Sequence, residues 1–318
     1  MPMWTAAHLP DLSGRTVLVT GANSGIGFET ARMIAARGAA TVLACRNPGK
    51  AAAAESRILA AHPDARVEVL SLDLADLSSV RRAAATFATR HDRLDVLINN
   101  AGVMMLPRCE TADGFEMLLG TNHLGHFALT GLLLGVLAKV PGARIVTVAS
   151  TGHRFGRIAF DDLQLERRYS RLRAYGQSKL ANLLFSYELQ RRIERAGLRM
   201  SAIACHPGAA DTNLVFLDPS DDRASWRDRV ARRMPFLAQS TQMGALPSLY
   251  AGFSPDAVGG AYYGPRGLFG WRGYPKRVGS SKRSRDEDLA ARLWDVSEKL
   301  SGVVYEWVPV PTDVGTGT

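Results

Sequence analysis

Tyr175-Gly176-Gln177-Ser178-Lys179 places a phenol and an ammonium four residues apart. On a helix that is one turn plus about 40°, so both side chains share a face about 6 Å apart along the axis. A phenol with a pKa near 10 is a poor base at neutral pH, and an adjacent lysine cation would stabilise its phenolate and lower that value. Tyr175 is then placed to give or take a proton, with Lys179 as its electrostatic partner. Ser150 ends an apolar, β-branched run and offers a hydroxyl that can hydrogen-bond a substrate oxygen. Thr151 competes for that role, and an ordinary serine at a strand end is the plainer reading.

A second constellation concerns phosphate. Thr20-Gly21-Ala22-Asn23-Ser24-Gly25-Ile26-Gly27 follows a short apolar run and precedes a helical pattern. Glycines there permit a tight turn and close approach of backbone to a pyrophosphate, which a helix N-terminus would hold with free N–H groups. Gly21, Asn23, Ser24, Gly25, Ile26 and Gly27 are the expected contacts. The spacing is G-x3-G-x-G rather than G-x-G-x-x-G, so a plain glycine loop is the alternative. The second apolar run ends Ala44-Cys45-Arg46-Asn47 without a carboxylate to accept a ribose 2′-hydroxyl. Arg46, with Asn47 and Lys50, therefore favours NADP over NAD, because a guanidinium pairs with a 2′-phosphate. Asp73-Leu74 suits an adenine amino group, or a local cap. Asn99-Asn100-Ala101-Gly102 ends the fourth run with small residues, and Asn99, Ala101 and Gly102 are expected at the cofactor.

The elements that must position these residues alternate. Apolar runs at Thr16–Thr20, Thr41–Cys45, Val67–Leu72, Val96–Asn99, Ile145–Ala149 and Met200–Cys205 are separated by helical patterns at Gly27–Arg37, Lys50–Ala61, Leu77–Arg90, Phe115–Leu137 and Tyr175–Arg195. Such alternation predicts an α/β fold, a doubly wound parallel sheet of the Rossmann type with helices on both faces. A seventh strand is expected near Ala261–Tyr263, giving about seven in one domain spanning 1–318. Residues 13–210 would form the nucleotide-binding and catalytic core, 211–239 a substrate lid, and 240–302 the remainder. The insertion Thr151–Ala174 and the lid leave from the C-terminal strand ends, where ligands bind in open sheets. Met104, Met105, Phe155, Phe216 and Trp226 are candidate pocket walls.

In order along the chain, Thr20-Gly-x-x-x-Gly-Ile-Gly27, Asn99-Asn-Ala-Gly102, Ser150, Tyr175-x-x-x-Lys179 and Pro207-Gly208 with Thr212 resemble the landmarks of the short-chain dehydrogenase/reductase family, from about Ser13 to Gly302. That resemblance implies Asn122 as a fourth catalytic residue, holding a helix distortion and a water linked to Lys179. It also implies a nicotinamide whose oxidised ring would further stabilise the phenolate, and Pro207, Gly208 and Thr212 as cofactor contacts. Ala44-Cys-Arg-Asn47, Asn122-His-Leu-Gly-His126, Phe160-Asp-Asp-Leu163, Gln177-Ser-Lys-Leu-Ala-Asn182 and Leu293-Trp-Asp-Val-Ser-Glu298 resemble the retinol dehydrogenase and protochlorophyllide reductase-like branch, which often prefers NADP. The membrane anchor usual in eukaryotic retinol dehydrogenases is not expected here, so membrane residence and retinoid specificity do not carry over.

Composition removes other classes. The chain has 318 residues, 46% hydrophobic and 22% charged, enough for a large core and unlike a disordered or membrane-bundle protein. Cys45, Cys109 and Cys205 are too scattered for a disulfide framework or a thiolate zinc site. They suit a cytoplasmic setting. The first residues lack a basic region followed by a long apolar run, so no secretory signal is expected. Phe127–Ala138 is too short to span a bilayer.

The net charge of +9 is concentrated in two C-terminal clusters, Arg223–Arg233 and Lys276–Arg285. No nucleic-acid motif accompanies them, so solvated faces rather than a polyanion site are expected. Peripheral membrane contact through Leu268-Phe269-Gly270-Trp271 remains open, as does a homodimer or homotetramer. His123, His126, His153 and His206 lack metal-ligand spacing and are read as packing, so no metal is expected. The leading reading is NADP-dependent hydride transfer involving an apolar carbonyl or alcohol. A catalytically silent NADP(H)-binding sensor or scaffold is the alternative.

Overall fold

The computed structural model describes residues 3–209 and 239–307. Eight strands form one sheet in the order β3-β2-β1-β4-β5-β6-β7-β8. They are β1 (Thr16–Thr20), β2 (Ala40–Cys45), β3 (Val67–Ser71), β4 (Val96–Asn99), β5 (Ala143–Val148), β6 (Met200–Cys205), β7 (Tyr262–Pro265) and β8 (Pro275–Arg277). The first seven are parallel, and β8 returns antiparallel to β7. The doubly wound parallel sheet is as expected, with one short strand, β8, beyond the seven placed from sequence. β8 escapes sequence reading because its three residues, Pro-Lys-Arg, have neither length nor apolar alternation.

β1 is buried along its whole length, as a strand covered on both faces must be. Its alternating side chains serve two cores. Val17 and Val19 join Ile34, Ile98 and Leu249 on one face, while Leu18 joins Leu97, Phe87 and Phe185 on the other. The helices covering these faces are α1 (Gly25–Ala35), α2 (Pro48–Ala61), α3 (Leu77–Arg90), α5 (Gly125–Leu132), α7 (Arg171–Arg195), α8 (Thr241–Phe253) and α9 (Glu287–Ser301), with short α4 (Met117–Leu119) and α6 (Leu134–Ala138). The last helix carries Trp294 onto Phe127, with ring centroids 5.0 Å apart, and Tyr305 beyond it donates to the Phe127 carbonyl at 2.7 Å.

The single helix expected over Phe115–Leu137 is broken. A π turn over Gly120–Leu124 separates α4 from α5, and α5 ends before α6 begins. By contrast α7 runs 25 residues from its cap Ser170, whose hydroxyl accepts the Arg173 N–H. Tyr175 thus stands in the second turn rather than at the helix start. The 151–174 insertion is tied down by Gln177 on α7, which accepts from the Ala159 N–H and donates to the Leu163 carbonyl.

Candidate active site

The chain runs from β1 outward to β3 and then crosses back to β4, so the strand order reverses between β1 and β4. Their carboxyl ends open into a cleft of about 380 Å³, the place where open α/β sheets hold ligands. One wall is the glycine loop. Gly21 and Gly25 have positive φ, 67° and 56°, which an L side chain rarely adopts. A Cβ on Gly27 would overlap the Gly21 carbonyl and the Asn100 amide, so no other residue lets α1 start this close to the strand end. Ser24 caps α1 by position, yet its side chain makes no capping bond, and Gly25, Ile26 and Gly27 of the first turn, whose N–H groups have no intrahelical partner, line the cleft. A pyrophosphate fits this cradle.

The expected cofactor residues mostly meet here. Gly21, Asn23, Ser24, Gly25, Ile26 and Gly27 line the cleft, as do Arg46, Asn47 and Lys50 at the end of β2 and Asp73 and Leu74 after β3. Ala101, Gly102, Tyr175, Lys179 and Pro207 complete it. Two of these side chains also hold local structure: Asn47 accepts the Lys50 N–H at 2.9 Å as the cap of α2, and Asp73 accepts the Ala75 N–H at 3.0 Å.

Asn99 is not among the lining residues. Its amide is buried and donates to Thr130 Oγ1 at 3.0 Å, away from the cleft. Asn100 lines the cleft instead, its amide donating to the Thr20 carbonyl at 2.8 Å. Strand alternation, which sends neighbouring side chains to opposite faces, was the signal that distinguishes them. Gly208 lies just beyond the lining, with φ of 74° and with the Trp271 carbonyl where a Cβ would stand. Met104 lines the cleft with Val103 and Leu106, whereas Phe155 is 72% exposed. Met105, between the lining residues, is one of two non-glycine residues with positive φ among the described residues. Thr212, Phe216, Trp226 and the segment 211–238 lie outside the described residues.

At the far end of the cleft the polar groups converge. Ser150 follows β5 and caps a 3-10 turn (Thr151–Phe155) by accepting the Gly152 N–H at 3.1 Å. Gly152 lies against the Tyr175 ring, where a Cβ would come within 2.9 Å of Cε1. Gly156 and Gly176 bring this turn and α7 into backbone contact, so Ser150 meets Tyr175. Burial pushes the phenol above its usual value, and its hydrogen bond with Ser150 opposes that rise. Lys179 Nζ donates to the Val148 carbonyl at 3.1 Å and lies 6.0 Å from the Tyr175 ring centroid. Burial brings the lysine down to about 8. The expected acidification of the tyrosine by its helical neighbour is thus not what the polypeptide itself produces. Desolvation raises the one and weakens the other as a cation.

Asn122 occupies the π turn. Its Oδ1 accepts the Val103 N–H at 2.8 Å, and its Nδ2 donates to the Val103 carbonyl and to Ser178 Oγ, each at 2.9 Å. A Cβ on Gly102 would stand 3.1 Å from Asn122 Oδ1 and 3.4 Å from Lys179 Nζ, so small size there lets both approach the cleft backbone. Tyr175 and Lys179 line the cleft, and Ser150 stands behind the lining in hydrogen bond with Tyr175; a hydroxyl, a protonated phenol and a buried ammonium so placed can orient a carbonyl and pass it a proton.

His123, His126, His153 and His206 are all buried and held neutral by desolvation. No cluster of potential metal ligands occurs among the described residues, and no helix there is long and apolar enough to cross a membrane.

Comparisons with known proteins support the fold and give the family. Residues 15–217 match the family model of the short chain dehydrogenases. Retinol dehydrogenase 12 of Mus musculus is 42% identical over 299 residues, 93% of this chain and 89% of its own length. A crystal structure of an uncharacterised protein from Mycobacterium paratuberculosis is 46% identical, with a TM-score of 0.79 over 96% of this chain and 100% of that one. A short chain dehydrogenase from Burkholderia cenocepacia, solved in complex with NADP, shares the fold at 24% identity and a TM-score of 0.62, covering 79% of this chain and 96% of its own.

Proposed function

The chain belongs to the short chain dehydrogenase family, and on that premise we propose that it is an NADP-dependent reductase of apolar carbonyls in which Tyr175 is the proton donor. The observation that carries this reading is the meeting of Tyr175 and Lys179 with the glycine loop and Arg46 in one cleft.

When bound, the nicotinamide dinucleotide supplies the hydride. The loop Gly21–Gly27 and the α1 N-terminus would hold its pyrophosphate. Arg46 and Lys50 would meet the 2′-phosphate, since no carboxylate occurs between Cys45 and Glu55. Asp73 is placed for the adenine. Lys179 would hold the nicotinamide ribose from its seat on the Val148 carbonyl. The Ser150 hydroxyl would donate a hydrogen bond to the carbonyl oxygen of the substrate, and Tyr175 would deliver the proton to that oxygen as the carbonyl carbon is reduced. Asn122, bonded on both sides to Val103, fixes the backbone beneath the reacting atoms. Met104, Leu106 and Val103 give the cleft an apolar rim, and the retinol dehydrogenase relatives support a long apolar substrate.

Steady-state oxidation of NADPH and NADH against retinoid, steroid and aliphatic aldehydes and ketones tests the cofactor choice. A charge-assisted contact to phosphate contributes about 1.5–3 kcal/mol, so Arg46→Ala should lower kcat/KM for NADPH roughly 10- to 100-fold and leave NADH nearly unchanged. Equal use of both cofactors by the native protein, or an Arg46→Ala loss that is the same for both, contradicts it.

A further inference from the structure

Thr20 closes β1 ahead of the glycine loop, and Asn122 sits in the π turn on the other side of the cleft; one buried imidazole joins them. His126 Nδ1 lies 3.0 Å from the Asn122 carbonyl oxygen. A carbonyl only accepts, so Nδ1 carries the proton. Burial holds the ring neutral, and Nε2, 2.9 Å from Thr20 Oγ1, is therefore the acceptor of the threonine O–H. The Ile98 carbonyl, at 3.4 Å, is the longer alternative for that proton. With its proton given to His126, Thr20 Oγ1 is left to accept the backbone N–H groups of Asn100 and Ala101, both at 2.9 Å. Donors and acceptors along this path have one consistent assignment.

The path links the two halves of the cleft. At one end, Ala101 lies against Gly21, and the Asn100 side-chain amide lies against both Gly21 and Gly27 of the glycine loop. At the other, Asn122 carries Val103 and Ser178 on its amide. A π turn interrupts the regular main-chain ladder, and an imidazole four residues on takes up the carbonyl of the residue at its centre. A hydrophobic side chain of similar size would fill the space and leave a buried hydroxyl proton and a buried carbonyl without this partner.

We infer that His126 is a positioning residue that locks the cofactor-side turn at Thr20 and Asn100–Ala101 to the catalytic-side π turn at Asn122. The inference rests on the proposed role of Asn122, Tyr175 and Lys179, and it adds that the two turns are set by separate nitrogens of one ring.

Two substitutions separate those nitrogens. His126→Asn keeps a short N–H donor in the position of Nδ1 and loses the acceptor toward Thr20. His126→Gln reaches Thr20 with an acceptor and loses the donor to Asn122. Losing one buried hydrogen bond costs about 1–3 kcal/mol, so His126→Asn should raise the Kd for NADPH about tenfold with kcat within threefold of native. His126→Gln should show the reverse, with kcat down about tenfold and Kd within threefold. Thr20→Val should raise the Kd as His126→Asn does, and Thr20→Ser should stay within twofold of native. NADPH affinity is read by fluorescence titration and kcat from NADPH oxidation, both per titrated binding site. Parallel changes in Kd and kcat in both His126 variants, or changes below twofold in both, overturn the inference. Because Kd is read without turnover, a protein that binds NADPH but reduces no carbonyl would sink the catalytic reading while the Kd contrast still decides the role of the ring.

Discussion

Lys179 is where desolvation and electrostatics compete most openly. Its ammonium donates to the Val148 carbonyl from a buried side chain in the cleft wall, and burial brings its pKa down to about 8. Near neutral pH it is still mostly charged; above pH 8 it is mostly neutral. The Tyr175 phenol, raised by its own burial, keeps its proton throughout that range. Carbonyl reduction needs the protonated phenol and is helped by the cation, so the first group to fail as pH rises is the lysine. We expect kcat/KM for reduction to be level at neutral pH and to fall above about pH 8. Lys179→Arg, whose guanidinium stays charged, should lose that falling limb even if its amplitude is lower. A native limb that appears only above pH 10 would assign the titration to Tyr175 and contradict this view of Lys179. Tyr175 and Lys179 were legible as a pair because four residues on a helix leave no freedom in their placement. Their electrostatic state was not, because the carbonyl that seats the lysine comes from β5, some 30 positions away in sequence.

Glycines show what the elements owe to distant contacts. The broken helix before α5 was hidden in the sequence because Phe115–Leu137 reads as one helical pattern that runs across Gly120 and Gly125. Their reasons lie elsewhere in the chain: a Cβ on Gly120 would press into Thr111, and one on Gly125 would overlap the Leu74 carbonyl and come within 3.0 Å of Leu74 Cβ. Leu74 follows β3 and lines the cleft, so this contact also sets the distance from the π turn to the adenine end. Gly125→Ala should therefore destabilise the protein by about 1–3 kcal/mol through overpacking, seen as a lower Tm in thermal unfolding. Gly135→Ala, where nothing lies within 4 Å of the new Cβ, should hold or raise Tm, since alanine is favoured over glycine in a helix by up to about 1 kcal/mol. Equal shifts in the two variants would contradict the backbone contact at Gly125. Strand ends, by comparison, were legible almost to the residue for β1, β4 and β6, because each apolar run is followed at once by glycine, asparagine or proline-containing turn sequence.

Over the whole molecule, one topological fact organises the site: the chain turns back between β1 and β4, and every group discussed above arrives at that reversal from a strand end or the helix after it. Alternation of apolar runs with helical patterns was enough to foresee the doubly wound sheet. The β7–β8 hairpin was not foreseeable, since its register rests on pairing of Tyr263 with Arg277 and Pro265 with Pro275 rather than on any pattern within β8 itself. The hairpin also holds the last part of the cleft, with the Trp271 carbonyl accepting the Ala209 N–H just beyond Pro207. The most direct test of the whole arrangement is the single-turnover rate of NADPH oxidation by Tyr175→Phe with a carbonyl that the native protein reduces, alongside its Kd for NADPH. General-acid catalysis contributes about 10²- to 10⁴-fold, so the rate should fall by at least a hundredfold while Kd stays within about threefold. A variant that binds NADPH normally and reduces the carbonyl within threefold of the native rate would show that the proton comes from elsewhere.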